Sequence, residues 1–210
     1  MEPDFWHERW QHNEIGFHAA EANPLLVAHC DALSLQPGDR VFLPLCGKTL
    51  DIGWLLSRGY RIAGAELSET AVQALFADLG VVPEIKKLVS LQCFRAPGLD
   101  IFVGDIFELT IDLLGEVQAT YDRAALVALP FTMRQRYATH LRQITATAPQ
   151  LLLCFEYDQK ALDGPPFSVP DDEVAGHYDK YYELLKLASV EVAGGLKGVC
   201  AARENAWLLR

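Results

Sequence analysis

The sequence predicts a doubly wound α/β domain, in which a mainly parallel sheet is covered by helices on both faces. Three observations carry that expectation. Short apolar runs of strand length alternate with stretches whose apolar residues recur at helical spacing. Glycines, prolines and capping residues fall at the boundaries between them. No repeat, low-complexity tract or linker interrupts the alternation, and 210 residues with 50% hydrophobic content suffice for one core, so residues 1–210 are read as a single domain.

Taken in order, Asn23-Pro24 supplies an N-cap and a first-turn proline for the helix LLVAHCDAL, which Pro37-Gly38-Asp39 stops. RVFLPL, from Arg40, is a buried strand. TLDIGWLLSR is a helix closed by Gly59, and YRIAGAEL is a second strand. Ser68 caps a third helix, in which Ala71, Val72, Leu75, Phe76 and Leu79 share one face and Gly80 ends the run. From Val81 to Asp100 the pattern weakens, and VSLQCFRAPGLD reads as an inserted hairpin or loop. LDIFVGD restores a strand, ATYDRAALVAL is a strand followed by a turn, and TMRQRYATHLRQITATA is an amphipathic helix ending before Pro149. QLLLCFEYD is a further buried strand; beyond it come a proline-rich loop, a helix started by Asp171-Asp172-Glu173, and two strands. Strands and helices alternating at this spacing specify a sheet buried on both faces.

Composition excludes several classes of function. A formal charge of -10, from 18 basic and 28 acidic residues, repels a nucleic-acid backbone, so no nucleic-acid partner is expected. No apolar run approaches the ~20 residues that span a bilayer, and the polar, acidic start MEPDFWHERWQHNE is unlike a signal peptide, so the expectation is a soluble, cytoplasmic monomer without a membrane partner. Five cysteines without a CxxC pair fit a reduced protein; Cys46, Cys154 and Cys200, in or beside apolar runs, are expected to be buried free thiols. His7, His12 and His18 are not spaced to share a helix face, and no metal is expected.

VFLPLCGKTLDIGWL holds the triplet Gly47-Lys48-Thr49, which invites a phosphate-binding reading. A phosphate cradle needs GxxxxGK[ST], because its glycines let successive amides converge on the anion. Here Phe42 stands at the first glycine position, and Pro44, inside the would-be loop, has no N–H to donate. GxGxxG is absent as well. What survives of a Rossmann-type site is the acid at the end of the second strand: Glu66, roughly 20 positions beyond Gly47, where a carboxylate can accept both vicinal hydroxyls of a ribose. Its plainer role is to face the positive N-terminus of the next helix. Gly104-Asp105-Ile106, after the strand DIFV, offers a polar and an apolar residue to an adenine, or simply a solvated turn. An adenosine ligand beside a turn unsuited to phosphates points to S-adenosyl-L-methionine, whose amino-acid tail replaces the pyrophosphate.

With these residues in view, the chain resembles the bacterial thiopurine S-methyltransferase family. The resemblance is carried by FWHERWQHNEIGFH, VFLPLCGKTLDIGWL, GAELSE, IFVGDIFEL, YDRAALVALP and GPPFSVP, and it covers about residues 4 to 190. It implies the class I methyltransferase sheet, with residues 1–36 forming a helical cover over the cofactor. It implies that S-adenosylmethionine contacts Trp10, Leu45, Glu66, Ile106 and Arg123, and that Arg123 also serves catalysis. An indole at Trp10 attracts a sulfonium as it does other cations; the alternative is that Trp6 and Trp10, one turn apart, pack a helix onto the core. Leu45 and Phe17 have core packing as their alternative, and Arg123 an ion pair with Asp122 or Asp105. The resemblance places Phe17 and the loop around Pro166 in an apolar acceptor pocket. The segment GGLKGVCAARENAWLLR departs from the family pattern, which leaves Arg203 without an assignment.

The reaction implied is methyl transfer to the sulfur of a small aromatic or heterocyclic thiol. Selenium or tellurium oxyanions, or another small nucleophile, are the alternative acceptors, and an adenosyl-ligand sensor is the non-enzymatic alternative.

Overall fold

A computed structural model describes residues 3–12 and 21–210. β1 (Arg40–Leu43) is buried at all four positions, which is why its sequence shows an apolar run instead of alternation. Around it the chain adds β2 (Arg61–Glu66), β3 (Glu84–Lys87), β4 (Gln92–Ala96), β5 (Leu99–Val103), β6 (Ala119–Arg123), β7 (Gln150–Tyr157), β8 (Leu184–Glu191) and β9 (Ala202–Leu209). Among the described residues these nine strands form one sheet in the order β3-β4-β5-β2-β1-β6-β7-β9-β8. The central run from β5 to β7 is parallel throughout. Antiparallel pairs flank it, β3 with β4 and β4 with β5 at one edge, β9 with β7 and β8 at the other. The parallel expectation therefore describes the centre, and the weakly patterned stretch from Val81 to Asp100 is the inserted hairpin.

The α-helices among the described residues are α1 (Pro3–Gln11), α2 (Pro24–His29), α3 (Leu50–Ser57), α4 (Glu69–Asp78), α5 (Ile111–Leu114), α6 (Phe131–Ile144) and α7 (Asp171–Tyr178), with four short 3₁₀ turns. The expected caps Asn23 and Ser68 are in place, their side chains accepting from the Leu25 and Ala71 amides at the starts of α2 and α4, and Thr49, read as the first residue of its helix, instead caps α3 by accepting from the Asp51 amide. α2 gives way to a 3₁₀ turn, Cys30–Leu33, before the predicted stop.

Two apolar clusters lie on opposite faces of the sheet. On one, Leu26 and Leu33 meet Ile52 and Leu55 of α3 and Val72, Leu75 and Phe76 of α4. On the other, Tyr137 and Leu141 of α6 and Val174 and Tyr178 of α7 pack on Phe42, Ala63 and Leu152. Because β1 connects to β2 through α3 on one side while β6 lies on its other flank, the strand order reverses beside β1. Open α/β sheets bind ligands at the carboxyl ends of strands at such a reversal. Cys30, Cys46, Cys93 and Cys154 are buried free thiols, whereas Cys200, expected to be buried, is only half-buried in the β8–β9 loop. No helix among the described residues is long and apolar enough to cross a membrane.

Candidate active site

The turn between β1 and α3 answers the question raised by Gly47-Lys48-Thr49. Three of its amides are engaged within the protein: Cys46 N donates to Ala65 O at 3.0 Å, Thr49 N to Cys46 O at 3.3 Å, and Gly47 N to Glu66 Oε2 at 2.7 Å. Lys48 Nζ is paired with Asp78 at 3.0 Å. A phosphate would find neither converging amides nor a free lysine here, which removes the nucleotide-hydrolase reading. Gly47 sits at φ +53°, and a Cβ there would lie 3.0 Å from Cζ2 of Trp10. The glycine thus permits both the left-handed turn and the close approach of the indole. Leu45 also has a positive φ of 46°, at an order-of-magnitude cost of about 1 kcal/mol for a non-glycine residue. Its side chain is half-buried against the α6–α7 cluster.

Glu66 ends β2 with only 6% of its surface exposed. Its two oxygens are held separately, Oε2 by Gly47 N and Oε1 by Ser68 N at 2.8 Å. Burial pushes this carboxyl above the usual carboxylate range, while the amides of Ser68, Gly47 and Leu67 pull it back. The plainer role foreseen for Glu66, facing the start of α4, is therefore present. It does not exhaust the group, since each carboxylate oxygen has two lone pairs.

One strand over, Gly104 N donates to Glu66 O at 2.9 Å, so the turn after β5 lies beside Glu66. Asp105 caps a 3₁₀ turn, Ile106–Glu108, in which Ile106 is buried and Asp105 exposed. That turn is pinned from α6: His140 Nε2 donates to Ile106 O at 2.8 Å, and Arg136 lies 3.7 Å over the Phe107 ring.

Arg123 ends β6, on the other flank of β1. Register pairs Phe42 with Thr120, which sets Arg123 at the carboxyl end of β6 beside the end of β1. The Arg123 backbone pairs with Leu153 of β7, and among the described residues its side chain makes no hydrogen bond or ion pair. The partners foreseen for it are engaged elsewhere: Asp105 Oδ1 accepts from Phe107 N, and Asp122 points to the opposite face. There Asp122, fully buried, accepts from Leu126 N at 3.1 Å and from Tyr137 Oη at 2.7 Å, fixing the bend that follows Arg123. Burial pushes Asp122 up to about 6, against the pull of Tyr137 and the amides of Leu126 and Ala125. A folded value above the unfolded one means the contribution is full below about pH 4 and is lost as pH rises through about 6. Relative to Asp122→Asn, wild-type stability in denaturant titrations should therefore fall by roughly 2–3 kcal/mol between pH 4 and pH 7. A flat difference would show that the carboxyl titrates normally.

Pro166 lies in the loop between β7 and α7. Tyr157 Oη donates to Pro166 O at 2.7 Å, Phe167 N to Val127 O at 2.6 Å, and Lys197 Nζ to Pro165 O at 2.7 Å. The loop is thereby tied to the segment that follows Arg123. A cleft of ≈ 580 Å³ beside it is lined by Arg134, Glu156, Glu173 and Arg203, side chains too charged for the apolar pocket expected of an acceptor. Phe17, the other wall foreseen for that pocket, lies outside the described residues.

The structure thus brings Trp10, the Leu45 turn and Glu66 together, places Ile106 in the turn that follows the Gly104–Glu66 backbone bond, and sets Arg123 across β1 from them. Pro166 joins only through the Val127 segment. Arg203 is turned to β8, where it donates to Ser189 Oγ at 2.7 Å and faces Glu191. Sequence reasoning missed His140, which has no local signal, and a buried polar group made of Asn23, Asp51, Tyr121 and Glu204. Asp51 Oδ1 accepts from Asn23 N at 2.7 Å and Oδ2 from Tyr121 Oη at 3.0 Å; Asn23 Nδ2 donates to Glu204 Oε1 at 3.2 Å. An aspartate one residue inside an apolar helix, TLDIGWLL, was the available signal. Among the described residues no three His, Cys, Asp or Glu side chains converge as a metal site.

Comparison with known proteins adds an independent line. The family model described as thiopurine S-methyltransferase matches residues 1–210. A thiopurine S-methyltransferase of Xanthobacter autotrophicus is 60% identical over 210 residues, 100% of this chain and 99% of that protein. One from Gluconobacter oxydans is 48% identical over 203 residues, 97% of this chain and 92% of its own length. Among solved structures, magnesium protoporphyrin IX methyltransferase from Synechocystis, with bound SAH, superposes with a TM-score of 0.63 at 13% identity, over 98% of this chain and 97% of that one. At that identity the likeness concerns the fold.

Proposed function

The chain belongs to the thiopurine S-methyltransferase family, and from that premise we propose that it transfers the methyl group of S-adenosylmethionine to the sulfur of small aromatic or heterocyclic thiols. The observation that carries the reading is the buried Glu66 carboxylate, held by one amide from each of two loops beside a turn whose glycine amide and lysine are already engaged. Such a site suits the ribose of a nucleoside that lacks a polyphosphate.

In this reading Glu66 receives the ribose hydroxyls, Ile106 lies against the adenine, and Leu45 and Gly47 leave room for the amino-acid tail. Residues 1–36 serve as cover, with Trp10 over Gly47 excluding water and presenting an indole to positive charge. When bound, the donor supplies an electrophilic methyl group whose transfer to sulfur removes a positive charge. The chain's own task is alignment: holding the acceptor sulfur in line at ~3 to 3.5 Å in a site closed to water accounts for most of an acceleration of this kind. Heteroaromatic thiols ionise near neutral pH, so the proton can pass to water without a dedicated base. Arg123, unpaired among the described residues, favours the anionic sulfur. Phe17 and the Pro166 loop are assigned to the acceptor's ring. The net charge of -10 and the free thiols fit a small-molecule enzyme of a reducing, cytoplasmic compartment.

Calorimetric titration with S-adenosylmethionine and with ATP, followed by a methyl-transfer assay on an aromatic thiol, tests the proposal. Binding of the first ligand alone together with thioether formation is expected. Binding without transfer to the thiol would favour a sensor, and transfer only to selenium or tellurium oxyanions would reassign the acceptor.

A further inference from the structure

The buried polar group around Asp51 has no part in the reading above, although it joins the N-terminal segment to the turn at Gly47. Asp51 stands in the first turn of α3, just after Gly47, and is 1% exposed. Its Oδ1 accepts from the backbone N–H of Asn23 at 2.7 Å and its Oδ2 from Tyr121 Oη at 3.0 Å. Burial and the Asp51 charge raise the Tyr121 phenol well above its ordinary range, so it stays protonated and donates. Asn23, also buried, is held at its other polar atoms: Oδ1 caps α2 through Leu25 N at 2.8 Å, and Nδ2 donates to Glu204 Oε1 at 3.2 Å. The N-terminal segment therefore meets the β1–α3 segment twice, through the Trp10 indole against Gly47 and through the Asn23 amide on Asp51.

We infer that Asp51 is a positioning residue, whose carboxylate seats the cover on the start of α3 through the Asn23 amide and so keeps Trp10 over Gly47 at the donor site. The inference rests on the assignment of residues 1–36 as cover. Its physical basis is loop closure: fixing one point of a segment against its support raises the effective concentration of the rest over its seat. A carboxylate suits the task because one group accepts from two donors on different elements, the Asn23 backbone and β6, each of which would otherwise be buried without an acceptor. Because the anchored group is a backbone N–H, the contact fixes the path of the chain and not merely one rotamer. Both Asp51 oxygens are turned to these partners, so its effect on the donor passes through the cover.

The test is a double-mutant cycle on the full chain with Asp51→Ala and Trp10→Ala, reading the dissociation constant for S-adenosylmethionine and kcat with an aromatic thiol. The expected result is a roughly 10-fold weaker affinity for Asp51→Ala, a kcat at saturation within about 2-fold of wild type, and less than a ~2-fold effect on affinity once Trp10 is alanine. Asp51→Asn keeps an oxygen for the Asn23 amide and should recover most of the loss. Should Asp51→Ala fail to fold, Asn23→Pro compared with Asn23→Ala asks the same question. Both lose the side chain, and only proline, which the Asn23 φ of -59° admits, also loses the N–H, so the proline variant should bind roughly 10-fold more weakly than the alanine variant. Equal losses in both Trp10 backgrounds would give Asp51 a merely structural role in its own turn. Unchanged affinity in Asp51→Ala, or equal affinity of the two Asn23 variants, would overturn the inference while leaving the cover in place. If Trp10→Ala alone leaves affinity unchanged, the assignment of the cover fails, and the role of Asp51 with it, whereas a wild-type chain that binds no S-adenosylmethionine would overturn the reading of the site itself.

Discussion

Replacing Glu66 by alanine is expected to raise the dissociation constant for S-adenosylmethionine at least ~100-fold, the largest binding effect of any single change in the chain. Hydrogen bonds to a carboxylate contribute about 1.5–3 kcal/mol each, and two ribose hydroxyls on one carboxylate exceed the ~2.7 kcal/mol that a 100-fold change represents. Alanine also strands the Gly47 and Ser68 amides, at about 1–3 kcal/mol each, so it should lower thermal stability too. Glu66→Gln separates the two consequences. One amide oxygen can serve a backbone donor or a hydroxyl but not the full set, so affinity should fall ~10-fold with little change in Tm. Wild-type affinity in Glu66→Gln would reduce Glu66 to a cap for α4. The sign of the pH effect follows from burial. Because the folded carboxyl is raised, its contribution to stability is full below the unfolded value and lost as pH rises through the folded one. Ligand hydroxyls favour the ionised form, so affinity should weaken on acidification sooner than an exposed glutamate would allow.

How much of this was legible in the sequence depended on whether a residue's environment is local. β1 and β7 were legible because parallel strands buried on both faces read as continuous apolar runs. The caps Asn23 and Ser68 were legible because capping is decided within a few residues. β3 was not, since Glu-Ile-Lys-Lys is exposed at every position and carries no alternation. At the site, Glu66 and Gly47 could be singled out by their places on a strand end and a turn. Their direct hydrogen bond could not, because it depends on a left-handed Gly47 that Trp10 in turn overlies. Asp122 and Glu204 escaped for a related reason: a single acid in an apolar strand says that something is buried, not which hydroxyl or amide answers it. Neither strand order nor the antiparallel insertion of β9 between β7 and β8 has any signature in periodicity.

Arg123→Ala should leave S-adenosylmethionine affinity within about 3-fold of wild type and lower kcat by roughly 100-fold, or ~2.7 kcal/mol of transition-state stabilisation. The asymmetry follows from position. Glu66 and the Leu45 turn lie on the β1–β2 side, whereas Arg123 stands across β1, at the end of a strand whose next residues lead to the Pro166 loop. A positive charge there is of little use to a positively charged donor but favours an anionic sulfur. A pair of charges about 4 Å apart in a partly solvated site interacts by up to about 4 kcal/mol, enough for the proposed loss. If that is its role, the arginine also lowers the pKa of the bound thiol, so the acid limb of the kcat/KM profile should move to higher pH in Arg123→Ala, by about one unit for a tenfold share of the effect. Arg123→Lys keeps the charge but loses the planar fork, and should recover the pH profile better than the rate. An acceptor fully ionised at the assay pH should show the same loss of kcat with no displacement of the limb, because only the attraction between guanidinium and sulfur is then at stake. An unchanged kcat in Arg123→Ala would remove the residue from the chemistry and leave in-line alignment by the closed site as the whole source of the acceleration.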